Sequence, residues 1–265
     1  MKNILYLGNC QINAMRGISR GMFPKMPCEH RTITPYWGNY DECEIRDRLA
    51  DADLVISQAI ENRSAAFNVD DVKSSTKGDV VFMPYVYVDG IAGLEVIASK
   101  GRSLLMGQEI IDRVWEGRRP FDVIKQFMNG EIDLNNKQRV MLSLSKLAEK
   151  EASSCDIRIS DYISETWRFQ SSFWAINHPA QHVLFEMFRR LCEHLGWQYQ
   201  PAFSHNPVEW GKRALPMSTR SFTPFDVEAL ELEYDPDPHW YGQAKKLVTL
   251  ACKRSEQAAS GDMDC

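Results

Sequence analysis

Cys10 and His178 are the residues whose types and settings suit covalent chemistry. Cys10 sits in Gly8-Asn9-Cys10-Gln11, after the apolar run of residues 4–7 and before Ile12, Met15, Ile18 and Met22 at near-helical spacing. That order places a thiol between the C-terminal end of a strand and the N-terminal end of a helix, where ligands and reacting groups collect in open α/β sheets. Unpaired N–H groups and the positive end of the helix dipole favour an anion there. The expectation is therefore a lowered thiol pKa and a thiolate fraction at neutral pH. Gly8 permits a tight turn or a close backbone approach, and Asn9 brings an amide donor. A small buried hydrophobe is the simpler reading of an isolated cysteine, but the turn chemistry on both sides of this one favours function.

His178 lies in Asn177-His178-Pro179, ahead of an apolar stripe formed by Ala180, Val183, Leu184, Met187, Phe188, Leu191 and Leu195 and closed by Gly196. Proline is favoured at the first helical position, so the pattern predicts a helix from Pro179 with His178 at its N-cap. The positive helix end would keep the imidazole neutral and able to accept a proton. Ser57-Gln58 follows a third predicted strand, on the edge that carries Cys10, with Asn62 just beyond. Asn9, Gln11, Ser57, Gln58 and Asn177 together offer hydroxyl, amide and backbone donors for an oxyanion or a substrate.

Other chemistries find less support. His182 stands four residues after His178, but Pro179 occupies the place where a metalloprotease helix needs glutamate, and no cysteine pair has zinc-site spacing. No metal is expected. Neither a P-loop nor GxGxxG is present, which argues against a standard ATPase or Rossmann dehydrogenase. Arg118-Arg119, Arg168, Arg189-Arg190 and Lys212-Arg213 are the basic positions from which a phosphate clamp would be drawn, with a solvated surface as the default for each. Gly8 and Arg168 are the candidates for cofactor contact.

The elements that must position these groups read as an α/β fold. Strands are predicted over 2–7, 30–34, 53–57 and 79–83, with helices to Phe23 and over 44–51, which implies βαβ units and a mainly parallel sheet. Helical patterns follow over 107–116, 121–129 and 136–152, where Leu142, Leu144 and Leu147 are expected in the core. The long helix from 179 comes next, then helices over 224–233 and 240–254. The economical organisation is one domain: an α/β core over 1–105, a helical insertion or cap over 106–170, a helical remainder over 171–254 that completes the site, and a fraying tail over 255–265.

The 265 residues are 44% hydrophobic and 25% charged, with a net charge of −5, which describes an ordinary globular chain and gives no sign of nucleic-acid binding. Seven scattered cysteines do not form a disulfide framework. No run approaches the ~20 apolar residues that span a bilayer, and the apolar run before Gly8 is too short for a signal peptide. A reducing cytoplasm is the expected location. The oligomeric state is not legible.

With GNCQ after the first strand, Val55-Ile56-Ser57-Gln58 after the third and Phe173-Trp-Ala-Ile-Asn177-His178-Pro179 before a long helix, the chain resembles the WcbI family of capsular polysaccharide biosynthesis proteins. Where that family often carries proline after the third-strand glutamine, this chain has Ala59. The resemblance implies binding of coenzyme A or acetyl-CoA and acyl transfer to a saccharide hydroxyl, and the residues themselves add a thiol and an imidazole, Cys10 and His178, with which two mechanisms fit. Either Cys10 takes the acyl group as a thioester, or His178 deprotonates the acceptor for direct attack. The strand–turn–helix position of Cys10 also resembles that of the nucleophilic serine in SGNH hydrolases, which implies a three-layer SGNH- or flavodoxin-like sheet. The alternative activity is then a cysteine esterase or deacylase acting on acylated sugars. A third reading is a non-catalytic carbohydrate- or nucleotide-binding subunit.

Overall fold

The computed structural model describes residues 3–25, 29–33, 41–60, 67–90, 96–99, 102–105, 108–175, 177–198, 224–233, 235 and 240–260. Two compact units divide the chain: Met1–Tyr87, Leu144–Glu165 and Asn177–Pro216 form the first, and Val88–Ser143, Thr166–Ile176 and Met217–Cys265 the second.

The first unit is built on a parallel sheet of β1 (Asn3–Leu7), β2 (Glu29–Ile33), β3 (Leu54–Gln58) and β4 (Asp79–Met83), in the order β2-β1-β3-β4. Leu5 pairs with Arg31 on one side and Val55 on the other, and Val55 pairs with Val80. β1 and β3 are buried on both faces and apolar over residues 4–7 and 54–56, as strands covered on two sides must be. Helix α1 (Cys10–Met22) carries the chain from β1 to β2, and α2 (Glu42–Asp51) carries it back past β1 to β3. Parallel crossovers are right-handed, so this reversal of direction puts the two helices on opposite faces. Leu5, Leu7 and Val55 accordingly meet Ile45 and Leu49 of α2, together with Val72 of α3 (Val69–Ser75). Alternation turns Ile4, Tyr6, Leu54 and Ile56, all fully buried, to the face of α1.

The edge strand β4 is not left bare. Phe82 donates its N–H to Asp156 Oδ2 at 2.7 Å, and its carbonyl accepts from Asp156 and Ile157, which blunts the strand as a template for pairing.

Four of the predicted strands and the helices around them stand within a residue or two of their expected places. Two short helices were not anticipated. In α3, Asn68 caps by accepting from Asp70 and Asp71 N–H at 2.9 and 3.1 Å, a local signal present in the sequence. The other, α7 (Ser160–Thr166), depends on a side chain nine positions upstream. Glu151, fully buried in α6 (Asn136–Ser154), accepts from Ile159 N at 2.9 Å, from Ser160 N at 3.1 Å and from the Ser160 hydroxyl. The long helix α8 (Gln181–Leu195) ends as expected at Gly196, which has φ +66°. It begins two residues later than predicted, at N-cap Ala180, because His178 and Pro179 are extended in a two-residue strand, β8.

In the second unit, α4 (Gln108–Trp115), α5 (Pro120–Met128) and α10 (Trp240–Ser260) share a core of Ile110, Ile111, Val114, Val123, Phe127, Leu247 and Val248. Gly130 closes α5 at φ +72°, where a Cβ would lie 2.8 Å from the Phe225 ring. Phe225 belongs to the short helix α9 (Pro224–Ala229). A hairpin of β5 (Val96–Ser99) and β6 (Arg102–Leu105) lies in the part of the α/β core segment for which no element was expected, and the strand β7 (Phe173–Ala175) falls in the segment expected to be a helical remainder. α10 runs to Ser260, through residues expected to fray. Leu144 and Leu147 are buried as expected, but Leu142 is 53% exposed. No helix among the described residues is long and apolar enough to cross a membrane.

Glu151 gives the first unit a definite pH response. Burial raises its pKa above the ordinary 4.5 despite three donors, so the folded chain holds this proton to higher pH than the unfolded chain does. Its contribution is full below about pH 4.5 and falls as pH rises through the folded value. The stability difference between wild type and Glu151→Gln, followed by urea denaturation from pH 4.5 to 8, should therefore move towards the variant as pH increases.

Candidate functional site

The sheet order reverses between β1 and β3, and ligands of open α/β sheets bind outside the strand carboxyl ends at such a switch point. β1 delivers Gly8, Asn9 and Cys10 to this edge, β3 delivers Ser57 and Gln58, and the chain leaving β4 delivers Tyr85 and Val86.

Gln11 binds these strand ends together. Its side chain is 1% exposed and uses all of its hydrogen-bonding capacity. Nε2 donates to the Val86 carbonyl at 2.8 Å and to the Asn177 carbonyl at 2.7 Å. Oε1 accepts from Val86 N at 3.1 Å and from Gln58 Nε2 at 3.4 Å. Gln58 in turn accepts the Asn9 N–H at 2.8 Å. Gly8 is required beside it, since a Cβ there would fall 2.7 Å from Gln58 Oε1 and 2.6 Å from Ile12 Cγ1. Ser57 is buried, and its hydroxyl donates to the Gln58 carbonyl at 3.2 Å.

Asn9 is the N-cap of α1, accepting the Gln11 N–H on Oδ1 at 2.9 Å. Cys10 is the first residue of the helix and is 7% exposed. Its thiol pKa is raised, contrary to the sequence-based expectation. Burial dominates, and the backbone N–H groups of Gln11 and Cys10, which favour the thiolate, only offset part of it. At rest the sulfur is a protonated thiol.

Asn177 and His178 reach this edge through the bond from Gln11 to the Asn177 carbonyl. The Asn177 side chain donates Nδ2 to the Tyr85 hydroxyl at 3.3 Å. His178 lies two residues ahead of the α8 N-cap, so the argument that a helix terminus holds its imidazole neutral does not carry over.

The WcbI family model, described as "Polysaccharide biosynthesis enzyme WcbI", matches residues 3–200. The chain belongs to the WcbI family. A solved structure of WcbI aligns over 97% of this chain and 95% of its own length, with a TM-score of 0.71 and 15% identity, which establishes a common fold. That structure is described as a novel polysaccharide biosynthesis enzyme, in the native form without a disulfide bond between coenzyme A and one of its cysteines. A laminin-binding adhesin of Streptococcus agalactiae and AdcAII of Streptococcus pneumoniae align at 11% identity, over 96% and 95% of this chain and 99% and 98% of their own. Their TM-scores of 0.24 and 0.23 carry no structural argument. No curated protein matches the chain.

Within this WcbI-family fold the remaining candidates find other employment. His182 Nδ1 is 3.1 Å from the Tyr162 hydroxyl, and no group of His, Cys, Asp or Glu suited to a metal occurs among the described residues. Arg189 and Arg190 both pair with Glu186 at 2.7 Å, and Arg190 also pairs with Asp161. Arg119 pairs with Asp122 at 2.7 Å. Arg168 belongs to the second unit, 3.3 Å from Glu231 and over the Trp167 ring. Asn62, Lys212 and Arg213 lie outside the described residues.

Tyr85, a position the sequence does not single out, also reaches this edge. Its only signal was its place, directly after the proline that ends the fourth strand and on the edge that carries Cys10. The phenol pKa is raised, first by burial and also by the charge Cys10 would carry, while the Asn177 bond opposes the rise.

Two outcomes follow from this geometry. Gln11→Leu would strand the Val86 N–H and two carbonyls in the interior and should cost about 3 kcal/mol of unfolding free energy, read by urea denaturation. Site-resolved alkylation by iodoacetamide, quantified by mass spectrometry, should place half-maximal reactivity of Cys10 above pH 9.0.

Proposed function

We propose that the chain is a coenzyme A-dependent acyltransferase that moves an acetyl group from acetyl-CoA to a saccharide hydroxyl during polysaccharide biosynthesis, with Cys10 as nucleophile and His178 as base. The observation that carries this reading is the position of the Cys10 thiol. It opens α1 at the switch point of the sheet, and Gln11 ties the segment of Asn177 and His178 to the same edge. Family membership supports polysaccharide biosynthesis, and the naming of coenzyme A together with a cysteine in the description of the WcbI structure, there without a disulfide between them, supports the donor. In this reading the strand order is that of the first four strands of a flavodoxin-like, three-layer sheet, and the donor is drawn from the cytoplasmic pool during capsule assembly.

The chemistry of the chain fits the thioester end of the donor. A buried thiol is matched to sulfur–acyl exchange, and the Asn9 Nδ2 group, with no bond to a described residue, is a donor beside it. Gln11, Gln58 and Ser57 bond to one another and to the backbone, and Asn177 bonds to the Tyr85 hydroxyl, so in this reading they hold the site. His178 takes the thiol proton as Cys10 attacks, which a thiol protonated at rest requires.

The strand–turn–helix setting of Cys10 also supports a second reading, a cysteine esterase on acylated sugars, which differs in admitting water as the acceptor. Calorimetric titration with coenzyme A and with acetyl-CoA separates the two. Micromolar dissociation constants are expected for both ligands, with retained coenzyme A binding and lost acetyl transfer in Cys10→Ala. An absence of binding to either ligand would reject the transferase in favour of the esterase.

A further inference from the structure

We propose that the Tyr85 hydroxyl is a catalytic hydrogen-bond donor to the acyl oxygen bound opposite Cys10. This rests on the reading of Cys10 as an acyl-accepting nucleophile and adds to it the group that faces the developing charge.

Three observations converge on this role. The first is which atom is available. Asn177 Nδ2 is a donor only, so the phenol oxygen accepts that bond and the phenol proton points elsewhere. No described residue accepts it. Among the side chains at this edge, both Gln11 donors and the Ser57 hydroxyl are engaged, and Gln58 Nε2 and Asn177 Nδ2 each give one N–H to the protein, whereas the side-chain bonds of Tyr85 and Asn9 use an acceptor atom alone.

The second is placement. Tyr85 precedes Val86, whose N–H and carbonyl are both held by the Gln11 side chain, and Gln11 follows Cys10 directly. The backbone next to Tyr85 is thereby held through Val86, and the phenol oxygen is held by Asn177, whose carbonyl is bonded to the same amide. A donor locked before the reaction begins needs no reorganisation when charge appears, which is the condition for effective oxyanion stabilisation.

The third is separation. Tyr85 and Cys10 are held at the same strand edge by Gln11, and the charge Cys10 would carry acts on the phenol, yet no hydrogen bond joins phenol and sulfur. The arrangement required is a reacting atom within reach of both nucleophile and donor, with neither satisfying the other.

In the step itself, Cys10 Sγ bonds to the acyl carbon as its proton leaves to the base, and the carbonyl π pair moves to oxygen. The Tyr85 O–H and the Asn9 amide hold that oxygen, and the phenol keeps its proton throughout. Collapse of the tetrahedral centre restores the carbonyl and breaks the bond to the coenzyme A sulfur, which takes up the proton.

The test compares two reactions of Cys10 in the same protein: acylation by acetyl-CoA or p-nitrophenyl acetate, followed by mass spectrometry, and alkylation by iodoacetamide. Tyr85→Phe should slow acylation about 100-fold while leaving alkylation within about twofold, because only acylation develops charge on an oxygen. 3-Fluorotyrosine at position 85, a stronger donor of the same shape, should acylate at least as fast as wild type and guards against a folding defect in the phenylalanine variant. Tyr87→Phe, whose ring centroid is 6.3 Å from that of Tyr85, should match wild type in both reactions. Equal acylation in wild type and Tyr85→Phe would overturn the role of Tyr85 alone, and so would a parallel loss of acylation and alkylation. A wild-type protein that neither donor acylates would overturn the nucleophilic reading of Cys10, and this inference with it.

Discussion

Everything at the strand edge depends on one buried carboxamide. Gln11 cannot leave any of its bonds unmade, because a polar group so deeply buried pays its full desolvation cost when unpaired. Satisfying it requires the residues after β4 to present both a donor and an acceptor at Val86, requires Asn177 to present a carbonyl, and requires Gln58 to stay in its rotamer. Three segments far apart in the chain are thereby set against the first turn of α1. The close approach at Gly8 is a consequence, since Gln58 can occupy its place only where the facing residue has no Cβ.

That same enclosure decides the state of the thiol. A helix N-terminus stabilises an anion through N–H groups that point at it, and Cys10 has two such groups. The effect is short-ranged and modest, whereas removing a charge from water acts on the whole ion. With Cys10 7% exposed, desolvation outweighs the helix end. Sequence order gives the position of a thiol relative to a helix but not the depth of the residues that pack over it.

The legible parts of the fold are those whose cause is local. Asn9 caps α1 and Asn68 caps α3 through bonds to residues two or three positions away, and Gly196 ends α8 with its own backbone. The alternation of strands and helices to Met83 and the apolar stripe of α8 are likewise written in periodicity. What depends on distant partners is not. α7 is capped by a glutamate from the preceding helix, and Tyr85 gains its meaning only from Asn177, 92 positions away. The start of α8 shows a local rule yielding to its surroundings: proline favours the first turn of a helix, but Pro179 is extended here and Ala180 takes the cap without a side-chain bond.

The division of labour among these side chains follows from burial and from which of their atoms the protein already uses. A polar side chain buried at a strand end is obliged to pair, and once paired it shapes the site without being able to serve the substrate. Ser57 and Gln58 sit on the right edge with the right chemistry, yet burial commits them to the protein. Asn9 and Tyr85 differ because the side-chain bond each makes uses an acceptor atom, Oδ1 in one case and the phenol oxygen in the other, so that the side-chain N–H and O–H remain to be used. A sequence search for donors finds residue types, whereas a catalytic site is selected by which proton the protein itself has not already claimed.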